Sequence, residues 1–96
     1  MLKEKKTAPE ITEAIAQMTE WKVINDKLSR TFEFKDFVDA FAFVTKIAIV
    51  AEKMDHHPEI FNVYNRVVID LATHDIGGIG GLDIELAKKI DALIKE

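Results

Sequence analysis

Three observations predict an α+β fold, a two-layer sandwich with a four-stranded antiparallel sheet and helices on one face. Helix-period and strand-period stretches follow one another in the order helix, hairpin, helix, hairpin, helix. Hydrophobic residues make up 48% of the chain and charged residues 31%, the balance of a folded domain. At 96 residues the chain falls below the ~150-residue domain prior, so positions 1–96 read as one domain.

Thr7-Ala8-Pro9-Glu10 is a capping box, and Ile11, Ala14, Ile15 and Met18 follow it at helical spacing. Trp21-Lys22-Val23-Ile24 reads as a strand and Asn25-Asp26-Lys27 as a turn. Residues 28–34 alternate, with Leu28, Phe32 and Phe34 on one face and Ser29, Thr31 and Glu33 on the other. Asp36 caps a longer helix reaching Met54. On it Phe37, Phe41, Val44, Ala48 and Ala51 share one face, Ala40, Phe43, Ile47, Val50 and Met54 an adjacent one, and Val38, Ala42 and Ile49 flank the first. Asp39, Lys46 and Lys53 form its polar stripe. A domain this small does not bury so wide an apolar circumference alone. One face is predicted to meet the sheet and another a partner chain in a homo-oligomer.

After Asp55-His56-His57-Pro58, residues 60–64 read as a strand, Asn65-Arg66 as a tight turn and residues 67–73 as a second strand. Val67, Ile69 and Leu71 share one face of it, opposite Val68, Asp70, Ala72 and His74. Gly77-Gly78-Ile79-Gly80-Gly81 reads as a flexible connector. A last helix carries Leu82, Leu86, Ile90 and Leu93 in register.

The net charge of −4 argues against a nucleic-acid partner. The absence of cysteine excludes disulfides, thiolate catalysis and Cys-ligated metals, and Ser29, the only serine, sits in no nucleophile elbow. The longest apolar region, residues 37–51, is interrupted by Asp39 and Lys46 and is shorter than the ~20 residues a membrane span needs. The charged start leads into no apolar stretch, so no secretory signal is visible. A cytoplasmic protein without a membrane partner is expected.

The three histidines are the candidates for chemistry: His56 and His57 where the long helix ends, His74 where the last strand ends. Helix end and strand end can converge at one rim of such a fold, and imidazole exchanges protons near neutrality. Glu52, Asp55 and Asp75 are placed to orient the rings, and Pro58 biases His57 away from helical geometry. A solvated His-His turn is the bland alternative. A three-imidazole zinc site is the sharper one, ranked below proton transfer because two His on one helix face are missing. The glycine cluster matches neither phosphate-loop nor dinucleotide spacing, having Asp83 where the latter wants Gly. Asp83 otherwise reads as a first-turn carboxylate facing the helix dipole, and Trp21 and Tyr64 as core or rim aromatics.

Glu52-Lys53-Met54-Asp55-His56-His57-Pro58-Glu59, then Phe61-Asn62-Val63-Tyr64-Asn65, Thr73-His74 and Asp83, resembles the pterin-4a-carbinolamine dehydratase family. Phe34-Lys35-Asp36-Phe37 upstream is similar too, so the likeness runs from about Trp21 to the end, with the first twenty residues agreeing only in being helical. The resemblance implies dehydration of a 4a-hydroxytetrahydropterin to the quinonoid dihydropterin, in the recycling of tetrahydrobiopterin, without metal or redox cofactor. It places His56 and His74 as general acid and base and His57 as a substrate-positioning imidazole. Asp55, Pro58 and the Ala72-Thr73-His74-Asp75 edge fall where the family contacts the pterin; Glu52 and Asp83 orient imidazoles or the following loop. It further implies a homodimer joined through the sheets, or a homotetramer joined through the helix Phe37–Met54. Some members act instead as dimerisation cofactors of transcription factors, so an interaction module without catalysis is the alternative. Two departures stand out: Ile60, where members often carry Trp as one wall of the cleft, and a loop at 77–81 richer in glycine and lacking a Ser or Thr cap.

Overall fold

In the computed structural model, which describes residues 4–95, the N-terminal capping box is formed from both sides. The Thr7 hydroxyl accepts the Glu10 amide at 3.3 Å and Glu10 Oε1 accepts the Thr7 amide at 2.8 Å, opening α1 (Ala8–Gln17). The Thr7 amide, and after it the Thr7 hydroxyl, hold the Glu10 carboxyl below its ordinary range. A carboxyl depressed in the folded state stabilises above its unfolded-state value and loses that contribution as pH falls through the folded-state value. Glu10→Gln is therefore expected to lower Tm at neutral pH, with the gap to wild type closing through an acid series. A gap of constant size would contradict the pairing.

Strands β1 (Lys22–Ile24) and β2 (Lys27–Glu33) are joined by Asn25 and Asp26 alone. Both take positive φ, 53° and 61°, the backbone of the primed turn that suits the twist of a hairpin. Lys27 thus belongs to the strand, not the turn. The Asp36 side chain accepts the Asp39 amide at 2.8 Å to start α2 (Phe37–Met54). Strands β3 (Glu59–Val63) and β4 (Arg66–Leu71) meet at Tyr64-Asn65, one residue earlier than the composition suggests. Tyr64, an aromatic at φ 49°, gives no local turn signal. The turn is held by its neighbours: Asn62 Nδ2 donates to the carbonyls of Tyr64 and Arg66, and Asn65 Nδ2 to that of Phe34.

The sheet order is β1-β2-β4-β3, every neighbouring pair antiparallel. The two hairpins meet through β2 and β4, with Leu28 opposite Leu71 and Phe32 opposite Val67. Leu28, Phe32, Val67, Ile69 and Leu71 point to the face covered by α1, α2 and α3 (Gly81–Ile94), where they bury with Ile47, Leu86 and Ile90. The expected two-layer α+β architecture is what forms. On the opposite face Ser29 is nevertheless buried, because a small side chain lies between Lys22 and Asp70 of the flanking strands.

Trp21 precedes β1 rather than starting it, and is buried against Phe32 at 6.4 Å between ring centroids. Its indole N–H donates to Asp91 Oδ1 at 2.8 Å, and Arg30 Nη1 reaches the same oxygen at 2.6 Å. One carboxylate of α3 thereby pins β2 and the chain before β1. The Arg30 guanidinium lies 4.4 Å from the Phe32 centroid, which adds a cation–π contact.

Helix α2 buries Ala40, Phe43, Ile47 and Ala51, and leaves Phe37, Val38, Phe41 and Ile49 outside at 50, 74, 53 and 54% exposure. Of the apolar faces that its periodicity offers, the one with Ala40, Phe43 and Ile47 is buried, joined by Ala51 from the edge of the neighbouring face. Among the described residues no helix is long and apolar enough to cross a membrane.

Candidate active site

Helix α2 stops because Asp55 turns left-handed (φ 51°, ψ 42°). Its amide reaches the Glu52 carbonyl at 3.1 Å and the His56 amide reaches the Ala51 carbonyl at 3.1 Å, a Schellman-type ending that glycine usually supplies. The break comes before His57, so Asp55 rather than Pro58 swings the histidine pair off the helix. Pro58 leads the chain into β3. Since an L-residue in this region carries strain that glycine avoids, Asp55→Gly is expected to raise stability by about 1 kcal/mol, read as a higher Tm. Asp55 also lines the cleft described below, so the same variant should bind its ligand less well; a lower Tm would contradict the backbone reading.

Past β4, Thr73 bridges back to Gly78, and His74 opens a 3₁₀ turn, His74–Ile76, instead of ending a strand. Gly77 closes that turn at φ 64° with its amide on the His74 carbonyl, 3.1 Å. The glycine segment is not a loose connector: Gly78, Ile79, Gly80 and Gly81 are all buried.

At the third position of α3, Asp83 is wholly buried. Its Oδ2 accepts the Gly80 amide and the Thr73 hydroxyl, each at 2.8 Å, so the carboxylate caps the helix that has glycine at its N-cap. Its Oδ1 lies 2.6 Å from His56 Nε2. A carboxylate is an acceptor, so the proton of a neutral His56 ring sits on Nε2 and the other ring nitrogen is left basic. Asp83 thus ties the ends of α2 and β4 to the start of α3, far more than a carboxylate facing a helix dipole. His57 is held differently, its Nε2 meeting Glu52 Oε1 at 2.9 Å on the surface.

Asp55, His56, His57, Ala72, Thr73, His74, Asp75 and Leu82 line one cleft of about 210 Å³. All three imidazoles of the chain therefore share it. Of the remaining residues singled out from sequence, Glu52 and Asp83 stand behind His57 and His56, and neither they nor Pro58 belong to the lining. Leu82 does, though its helical register had marked it only as core. Ile60 does not, and Tyr64 is exposed at the far end of the β3–β4 hairpin. The cleft is smaller than the ~300–1,000 Å³ pockets of drug-sized ligands. Among the described residues, no three His, Asp or Glu side chains are grouped so as to hold a metal ion.

Residues 4–93 match the family described as pterin 4 alpha carbinolamine dehydratase. The chain belongs to this family. The match takes in the first helix, which the motifs alone had not reached. A relative from Solibacter usitatus, provisionally named pterin-4-alpha-carbinolamine dehydratase, is 55% identical over 84 residues, covering 88% of either chain. One of the same name from Mesorhizobium japonicum is 47% identical over 93 residues, covering 95% of each. A crystal structure described as a transcriptional coactivator/pterin dehydratase from Brucella melitensis superposes with a TM-score of 0.90 at 43% identity, covering 94% of this chain and 98% of that one.

Proposed function

We propose that this member of the dehydratase family eliminates water from a 4a-hydroxytetrahydropterin by histidine acid–base catalysis, in the recycling of tetrahydrobiopterin. The C4a–O bond breaks, the leaving oxygen takes a proton and departs as water, and N5 loses its proton as the C4a=N5 bond forms. The step is redox-neutral. One group gives a proton and another takes one, and we assign these tasks to His56 and His74. His57, steadied by Glu52, positions the pterin; Asp55, Ala72, Thr73 and Asp75, which line the cleft, contact it, and Asp83 orients His56. The observation that carries this reading is the meeting of all three imidazoles at one cleft, one of them anchored on a buried carboxylate. Purified protein with a chelator present should accelerate dehydration of a 4a-hydroxytetrahydropterin over the spontaneous rate. A rate equal to the spontaneous one overturns the proposal.

The uncovered face of α2 supports a second element: a homodimer or homotetramer in which copies meet through the sheet edge and through Phe37, Val38, Phe41 and Ile49. Phe41→Asp is expected to reduce the mass measured by light scattering while the circular dichroism stays that of wild type. An unchanged mass would remove the helix from the interface. The Brucella melitensis neighbour is described as a transcriptional coactivator as well as a pterin dehydratase, which supports a hetero-partner on this face as a second reading, with subunit exchange with an unrelated protein as its sign.

A further inference from the structure

The buried glycine segment has a neighbour that the proposed chemistry leaves unused. The Lys6 amide donates to the Ile79 carbonyl at 2.8 Å, and Lys5 pairs with Gly80 as an antiparallel bridge. On its other side the same segment pairs with Thr73, whose amide donates to the Gly78 carbonyl at 2.8 Å. Residues 78–80 thus run between the N-terminal segment and the wall of the cleft. The approach is close: a β-carbon on Gly80 would stand 3.2 Å from the Glu4 carbonyl oxygen and 3.3 Å from Thr73 Oγ1, and one on Gly78 would press on the Lys5 side chain, 2.9 Å from Cε. The Gly80 amide and the Thr73 hydroxyl are also the two donors that hold Asp83 Oδ2.

We propose that Lys5 and Lys6 form a backbone strap that positions the cleft, acting through Ile79 and Gly80 on the two donors that fix Asp83 and, through it, His56. The strap is remote from the reacting atoms, so its residues are positioning residues. Its effect on catalysis rests on the dehydratase reading above; its mechanical effect does not. Without the strap, the 73–80 loop keeps its own turns and bridge but loses the pairing on its outer side, so it opens locally more often.

Lys6→Pro deletes the amide that reaches Ile79, whereas Lys6→Ala keeps it and removes only the side chain. Lys6→Pro is expected to speed amide hydrogen exchange at Thr73 and Gly80 by on the order of tenfold, and to lower kcat severalfold with KM little changed. Lys6→Ala should match wild type in both. A second pair guards against misfolding of the proline variant. Gly78→Val pushes against the Lys5 side chain and should speed the same exchange, and adding Lys5→Ala should reverse it. A lowered Tm with exchange at Thr73 and Gly80 unchanged, or Gly78→Val left unrescued by Lys5→Ala, overturns the proposal. If wild-type protein shows no dehydration at all, the proposed activity fails, and the exchange measurements still decide the strap.

Discussion

Asp83→Ala is expected to cost the fold about 3–5 kcal/mol, the loss seen when one partner of a buried, hydrogen-bonded pair is removed. The truncation leaves the Thr73 hydroxyl, the Gly80 amide and His56 Nε2 without their acceptor in a site where Asp83 itself has no exposed surface. For a domain of this size that is a fall in Tm of more than roughly 10 °C. Asp83→Asn separates folding from chemistry. Its single oxygen can still take Thr73 and Gly80, but its NH₂ then faces Nε2 of His56. That nitrogen must accept, and the ring proton moves to the other nitrogen. A general base in the wrong tautomer costs on the order of 10²–10⁴ in rate. Asp83→Asn should therefore keep most of the Tm that Asp83→Ala loses, yet lose kcat by that factor, with the tautomer change visible in ¹⁵N shifts of the His56 ring. Near-wild-type kcat in Asp83→Asn would show that the carboxylate only holds the fold.

The contrast between Asp83 and β4 shows what a sequence can disclose about this fold. Strand parity is local, and the alternation of Val67, Ile69 and Leu71 is enough to place all three at the core, where none is exposed. The long helix is legible for the same reason, since its cap and its period lie within one stretch of chain. Which strands adjoin is not local. The pairing of β2 with β4 joins strands of different hairpins, and neither hairpin records it. The turn at Tyr64 is not legible locally because side chains of Asn62 and Asn65 hold it against the preference of the residue that makes it. The glycines of the 77–81 segment mislead for a further reason: composition does not distinguish freedom of the backbone from close approach of another segment. Gly77 is needed for its positive φ, whereas Gly78 and Gly80 lie close against the N-terminal segment. At the candidate site, the histidines and their spacing were readable. Their union with Asp83, 27 positions from His56, exists only once the ends of α2, β4 and α3 are brought together.

His74→Ala is expected to show the opposite signature to Asp83→Ala: a loss of about 10²–10⁴ in kcat, the worth of one well-placed acid or base, with Tm nearly unchanged. The ring is exposed on the 3₁₀ turn at the mouth of the cleft, so removing it leaves no cavity and no buried group unpaired. Its two companions should sort by what holds them. His56 is buried on Asp83, so His56→Ala should lose both rate and stability. His57 leans on Glu52 at the surface, so His57→Ala should act mainly on KM, and Glu52→Gln should reproduce a weaker form of that change. Steady-state kinetics and thermal melts on the four variants separate these patterns. The distribution matters more than any single loss, because a metal-binding triad would fail alike at every position, whereas acid–base catalysis divides the labour among rings held in three different ways. If all three histidines can be replaced together without slowing dehydration, the cleft is not where the reaction occurs.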